Sequence, residues 1–166
     1  MSIYNKYNTP TGVKTKQWGP HFWRTLFFAA MNYPVIIDEK NKCHKTIKAN
    51  YKCFYSSLKY VLPCVFCMES YRRFYSEINI DNYLDTRINL MKWIYIIRDR
   101  VNKKLIFQET EKYKEEKKKL NDKYKHKLMT KSIYEKKLIL LKSKICTTRK
   151  SPAFKDVLEY YEQFRA

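Results

Sequence analysis

The chain has 166 residues, with 35 Lys plus Arg against 16 Asp plus Glu and a formal net charge of +19. That length suits one domain with its own core and no covalent staples, and two glycines with five prolines supply too little turn chemistry for a multi-stranded sheet, so an all-α fold is expected. No run of about 18 apolar residues offers a bilayer span and Met1 to Lys16 is too polar for a secretory leader, so the expectation is a soluble, non-secreted protein.

Residues 1–16, with Asn-Thr-Pro-Thr-Gly and little apolar periodicity, read as an irregular arm. A first helix is predicted from near Trp18, where Gly19, Trp23, Phe27 and Met31 recur every four residues beside Phe22, Leu26 and Ala30. It ends at Tyr33-Pro34. A second runs from about Lys40 to Val61 with Ile47, Tyr51, Phe54, Leu58 and Val61 on its apolar face. The third starts at a cysteine pair and continues through Met68, Tyr71 and Phe74 toward Ile78. Asp81 or Asp85 is expected to cap a fourth, carrying Ile88, Met91, Trp93, Ile94, Ile97, Val101 and Leu105. Four such helices with short connections imply a bundle over residues 17–107.

From residue 108 to 150 the pattern becomes charged, and residues 109–150 hold 15 basic and 6 acidic side chains, a net +9. This reads as a basic helical hairpin inserted ahead of a C-terminal helix within 151–166 that packs Phe154, Val157, Leu158, Tyr161 and Phe164 on the bundle. Such a hairpin offers contact to a polyanion, nucleic acid or an acidic partner.

Chemistry concentrates at Pro63-Cys64-Val65-Phe66-Cys67. Two thiols three positions apart can close a small disulfide ring, and the exposed N–H groups of a helix start stabilise a thiolate. Proline ahead of the first cysteine fits a helix beginning there. Half a zinc site is an alternative, with His21, Cys43, His44 and Cys53 as further ligands, but only Cys43-His44 are close in sequence and no metal is expected. A thioredoxin-type motif is another, although it belongs to a strand-containing fold. The five cysteines form an odd set with one diagnostic spacing, which suits a reducing compartment and one catalytic disulfide. Cys43 and Cys53 read as small buried helix residues, and Cys146 as a candidate relay.

Three segments together, Trp18-Gly19-Pro20-His21-Phe22-Trp23-Arg24-Thr25-Leu26-Phe27, Leu62 to Cys67 and Trp93 to Leu105, resemble the signature blocks of the Erv/ALR family of FAD-linked sulfhydryl oxidases. The divergent forms of large cytoplasmic DNA viruses are the most similar. The resemblance implies a four-helix bundle with a short fifth helix, FAD at its mouth, a homodimer, and work in the host cytoplasm or the virion. It implies that Cys64 accepts electrons from a dithiol protein or a thioredoxin-like relay, that Cys67 is the flavin-proximal thiolate, and that dioxygen ends as hydrogen peroxide. Flavin contacts carried over are Gly19, Trp23, Phe27, Tyr33, Cys67, Tyr95, Arg98, Asp99, Val101, Asn102, Lys103 and Lys104. Phe27 replaces a histidine of the family pattern, Arg98 and Asp99 replace His and Asn, and Tyr95 replaces a structural cysteine. A carboxylate at Asp99 would repel phosphates unless an arginine pairs with it. The alternative is a non-enzymatic basic binding protein on a degenerate bundle of the same kind.

Overall fold

The structure, a computed structural model, describes residues 12–165; the part of the predicted arm over residues 1–11 lies outside them. Among the described residues the helices are α1 (Thr15–Met31), α2 (Lys42–Val61), α3 (Val65–Glu77), a 3-10 turn (Ile80–Tyr83), α4 (Arg87–Lys125), α5 (Lys131–Ile145) and α6 (Phe154–Glu162). No strand forms among them, and the expected all-α class is what the chain adopts; two isolated bridges join Gly12 to Cys64 and Ile36 to Thr86.

Local chemistry accounts for most helix ends. The Asn41 side chain accepts from the N–H groups of Cys43 and His44 at the start of α2. Leu62 is extended ahead of Pro63, which closes α2 and opens the turn into the cysteine pair. The predicted caps on α4 are corrected: the Thr86 hydroxyl accepts from the Asn89 N–H, while the Asp85 carboxylate takes the Asn89 side-chain amide. Asp81 instead lies in the 3-10 turn, where its N–H donates to Asn79.

Contacts divide the chain into two compact units, one taking the chain up to Arg98 together with the segment from Pro152 onward, the other Asp99–Ser151. In the first, α2 packs on α3 and α1 on α6. Its core gathers Leu26, Phe27, Tyr33, Tyr55, Ile80, Leu84, Leu90, Met91, Trp93, Ile94 and Ile97, all essentially inaccessible. Buried tyrosines knit the helices through backbone oxygens: Tyr55 Oη donates to Leu26, Tyr71 Oη to Tyr55 and Tyr33 Oη to Leu84. Each pairs a polar tip whose burial would otherwise be costly.

Tyr55 also resets the predicted face of α2. Its ring meets Trp93 edge-on, which turns Phe54 and Val61 outward; both are exposed. Cys43 and Cys53, expected inside, are exposed as well, Cys43 in the first turn of α2 and Cys53 away from the buried Tyr55 and Leu58.

In the second unit the charged segment is helical, but its first arm is not a separate element. The helix begun at Arg87 runs without interruption to Lys125, through the boundary expected at residue 107, because no Gly or Pro falls within it. Lys127 takes a left-handed φ of 58° in the turn, and the Thr130 side chain caps α5. The Tyr124 and Tyr134 rings stack at 4.8 Å, and Tyr134 Oη donates to Asn121. The Glu109 carboxylate accepts from the backbone N–H and hydroxyl groups of both Thr147 and Thr148.

Candidate active site

Cys64 is the N-cap residue of α3, with its carbonyl accepting from the N–H groups of Cys67 and Met68. The helix therefore begins at Val65, one residue after the start expected at Cys64, and the two sulfurs flank the start of α3. No disulfide joins any of the five cysteines in this structure. Cys64 is buried at 8 % exposure whereas Cys67 is half-buried, the reverse of the accessibility expected from their assigned roles.

The reversal has a local cause. The chain ahead of α1 lies along the cysteine turn: the Val13 N–H donates to the Pro63 carbonyl at 2.6 Å and Gly12 bridges Cys64. The Trp18 indole N–H holds the Val13 carbonyl at 3.3 Å. Thr15 follows, opening α1 three residues before the predicted start, and its hydroxyl sits 3.3 Å from Cys67 Sγ and 3.8 Å from Cys64 Sγ.

Burial pushes the Cys64 thiol up, but the Cys67 thiol and backbone N–H, the Thr15 hydroxyl and the Phe66 N–H outweigh it, and the thiol titrates below its ordinary range. A depressed thiol at a helix start is the environment of a reactive cysteine.

The residues assigned to a flavin fall into two groups. In the first unit, Gly19 is buried in α1 and Trp23 is half-buried, its ring in no aromatic pair among the described residues. Phe27 is fully buried and stacks on Tyr161 at 4.8 Å, with the Arg98 guanidinium 5.9 Å from its centroid. Tyr33 is fully buried, and burial followed by the charges of Glu39 and Asp85 pushes its phenol up to about 12. Tyr95 Oη donates to the Pro152 carbonyl while its ring meets Phe154. A cleft of about 390 Å³, near the lower end for ligand sites, is lined by Pro20, Arg24, Arg98, Asp156, Tyr160 and Tyr161 among others. In the second unit, Asp99 pairs at 2.7 Å with Lys103, one turn on in the same helix, and so with a lysine rather than the arginine expected. Asn102 donates to Ser151, and Val101 and Lys104 are half-buried on the same helix. Asp99, Asn102 and Lys103 line a cavity of about 570 Å³ with Ile106, Phe107 and Lys150.

Sequence reasoning does not single out Thr15, Arg24, Tyr160 or Tyr161 as site residues. Arg24 and the two tyrosines carry the signal of an aromatic and cationic pair of helices; Thr15 carries none, because its partners lie 49 and 52 positions away. Among the described residues no three His, Cys, Asp or Glu side chains gather as a metal site, so His21, Cys43, His44 and Cys53 do not complete a zinc set with the pair.

Residues 20–125, which hold the cysteine turn and the Trp93 to Leu105 stretch, match the sequence model of the Erv1 / Alr family. The chain belongs to that family. Within it, the chain is similar to a probable FAD-linked sulfhydryl oxidase of Acanthamoeba polyphaga mimivirus, 32% identical over 91 residues, a match that covers 54% of this chain and 59% of that relative. The shared part is thus less than two thirds of the relative's length. Thr15 and Gly19 stand just ahead of the matched Erv1 / Alr range, and α6 beyond it. No helix among the described residues is long and apolar enough to cross a membrane.

Proposed function

We propose that the protein is an FAD-dependent thiol oxidase that forms disulfides in protein substrates through Cys64 and Cys67. The observation that carries this reading is the pair itself: two sulfurs at the start of α3, one with a depressed thiol, inside the range matched to the Erv1 / Alr family. The sulfhydryl-oxidase name of the mimiviral relative supports the same chemistry.

The residues present suit the cofactor. Arg24 and Arg98 offer planar, permanently charged donors for a pyrophosphate, and Trp23 and Tyr160 offer aromatic surface for a flat heterocycle, while Tyr161 is buried against Phe27 behind them. Taken by itself, the second unit carries polar donors at Asn102, Lys103 and Lys104, and its Asp99 pairs with Lys103. When bound, FAD supplies a two-electron acceptor for the thiol pair that dioxygen reoxidises, giving hydrogen peroxide. Phe27, Tyr33 and Tyr95 serve by shaping the walls of the first unit.

At the pair, a substrate thiolate attacks Cys64 Sγ and the electrons of the broken disulfide leave on Cys67. We take entry at the buried Cys64 to need the Val13–Pro63 tie to open, since that segment is bonded to the backbone at Pro63 and bridged to Cys64. We assign the substrate to the class of dithiol proteins, with work in the host cytoplasm or the virion, and a homodimer as the assembly. The exposed Val35, Ile36 and Ile88 offer apolar surface that self-association would bury.

A second reading has its own support. The hairpin concentrates lysines on α5, none of whose residues is buried, which suits contact with a polyanion. Cys67→Ser separates the two: it abolishes oxygen uptake and leaves polyanion binding intact, and undiminished turnover would refute the oxidase reading.

A further inference from the structure

We infer that Thr15 is the hydrogen-bonding partner shared by the two sulfurs of the redox pair, so that one negative charge can rest on either Cys64 or Cys67 through the same hydroxyl. The inference rests on the reading of Cys64 and Cys67 as the working thiols.

A threonine hydroxyl has one proton to give and two lone pairs to receive. Placed 3.8 Å from Cys64 Sγ and 3.3 Å from Cys67 Sγ, it can donate to whichever sulfur is a thiolate while accepting from the S–H of the other. Rotation of the O–H bond, with transfer of the thiol proton, exchanges the two arrangements.

Three features hold Thr15 in place. Its methyl rests over Gly19, where an added Cβ would lie 3.2 Å from Thr15 Cγ2, tighter than ordinary van der Waals contact. The absent side chain at 19 therefore leaves room for the methyl. Upstream, Val13 is tied to Pro63 and Gly12 to Cys64. Downstream, the Trp18 indole returns to the Val13 carbonyl and closes the turn around Thr15.

This arrangement matches what exchange demands. When a substrate thiolate attacks Cys64 Sγ, the Cys64–Cys67 bond breaks and its electron pair leaves on Cys67, 3.3 Å from a donor. The second substrate thiolate then attacks its own sulfur in the mixed disulfide, and Cys64 leaves as a thiolate that takes up a proton. The substrate loses two electrons and the pair gains them. Both departures place charge beside the same hydroxyl, and a stabilised leaving thiolate speeds each.

The test uses the full chain with the exposed Cys43, Cys53 and Cys146 changed to Ser, comparing Thr15, Thr15→Val and Thr15→Ser. Valine keeps the shape and removes the hydroxyl; serine restores it. Iodoacetamide alkylation of the reduced pair is followed from pH 5 to 10, and the pair's potential is set against glutathione buffers. Thr15→Val should shift the alkylation profile to higher pH, slowing the reaction at pH 7 by about threefold or more, and lower the reduction potential. Thr15→Ser should return both toward the parent. Profiles and potentials that coincide in parent and valine variant, or a serine variant that behaves as valine, would overturn the inference. Neither readout needs bound flavin, so a parent lacking flavin and oxygen uptake would refute the oxidase reading alone.

Discussion

The Val13 N–H donates to the Pro63 carbonyl at 2.6 Å, which fastens the segment ahead of α1 to the residue preceding Cys64. Its neighbour Gly12 has a φ of +80°, and a Cβ built there would lie 2.4 Å from the Pro63 carbonyl oxygen. Gly12→Ala cannot be accommodated without moving backbone. The segment should detach, and Cys64 should react about fivefold faster with a bulky maleimide, the scale of a single hydrogen bond. An unchanged rate would mean that the segment does not cover the sulfur.

The depressed Cys64 thiol links stability of the reduced protein to pH. Its folded value lies below its unfolded one, so the contribution is fully present above the unfolded thiol range and is lost as pH falls through the folded value. Thermal unfolding of reduced parent and Cys64→Ser across pH 5 to 10 should show a difference that shifts in the parent's favour as pH rises. A pH-independent difference would contradict the thiolate assignment.

Glu109 closes the second unit by taking four hydrogen bonds from Thr147 and Thr148. Burial pushes its carboxyl up, but those four donors prevail and lower it. The stabilisation is therefore present above the ordinary carboxylate range and lost as pH falls through the lowered folded value. Glu109→Ala should destabilise this unit by about 1 kcal/mol, since solvent screens much of the interaction, and speed tryptic cleavage at Arg149 and Lys150, while Glu109→Gln should lie between.

The lysines of α5 give a salt-dependent prediction. Changing Lys136, Lys137, Lys142 and Lys144 to Gln should flatten the plot of log affinity against log salt for a duplex oligonucleotide by about 0.9 for each phosphate no longer neutralised. Oxygen uptake should not change. Binding that ignores both salt and substitution would exclude a polyanion role for the hairpin.

Sequence periodicity locates the helices well because apolar residues recur at helical spacing and Pro34 and Pro63 punctuate them. It fails where one side chain decides between adjacent faces: Tyr55, anchored by Leu26 and Trp93, turns Phe54 outward and leaves Cys53 exposed. It also reads the change in charge near residue 108 as a break, although charge does not end a helix and the backbone continues to Lys125. At the site, the spacing of Cys64 and Cys67 is local and legible. The Thr15 contacts, the covering segment and the Phe27–Tyr161 stack join residues far apart in the chain, and composition carries no trace of them.

Whether Cys64 and Cys67 work beside a bound flavin is tested most directly by the visible absorption spectrum of the purified protein. Flavin bands that bleach with dithiothreitol, return in air, and no longer bleach in Cys67→Ser are the expected result; a folded, colourless protein that fails to take up added FAD would contradict it.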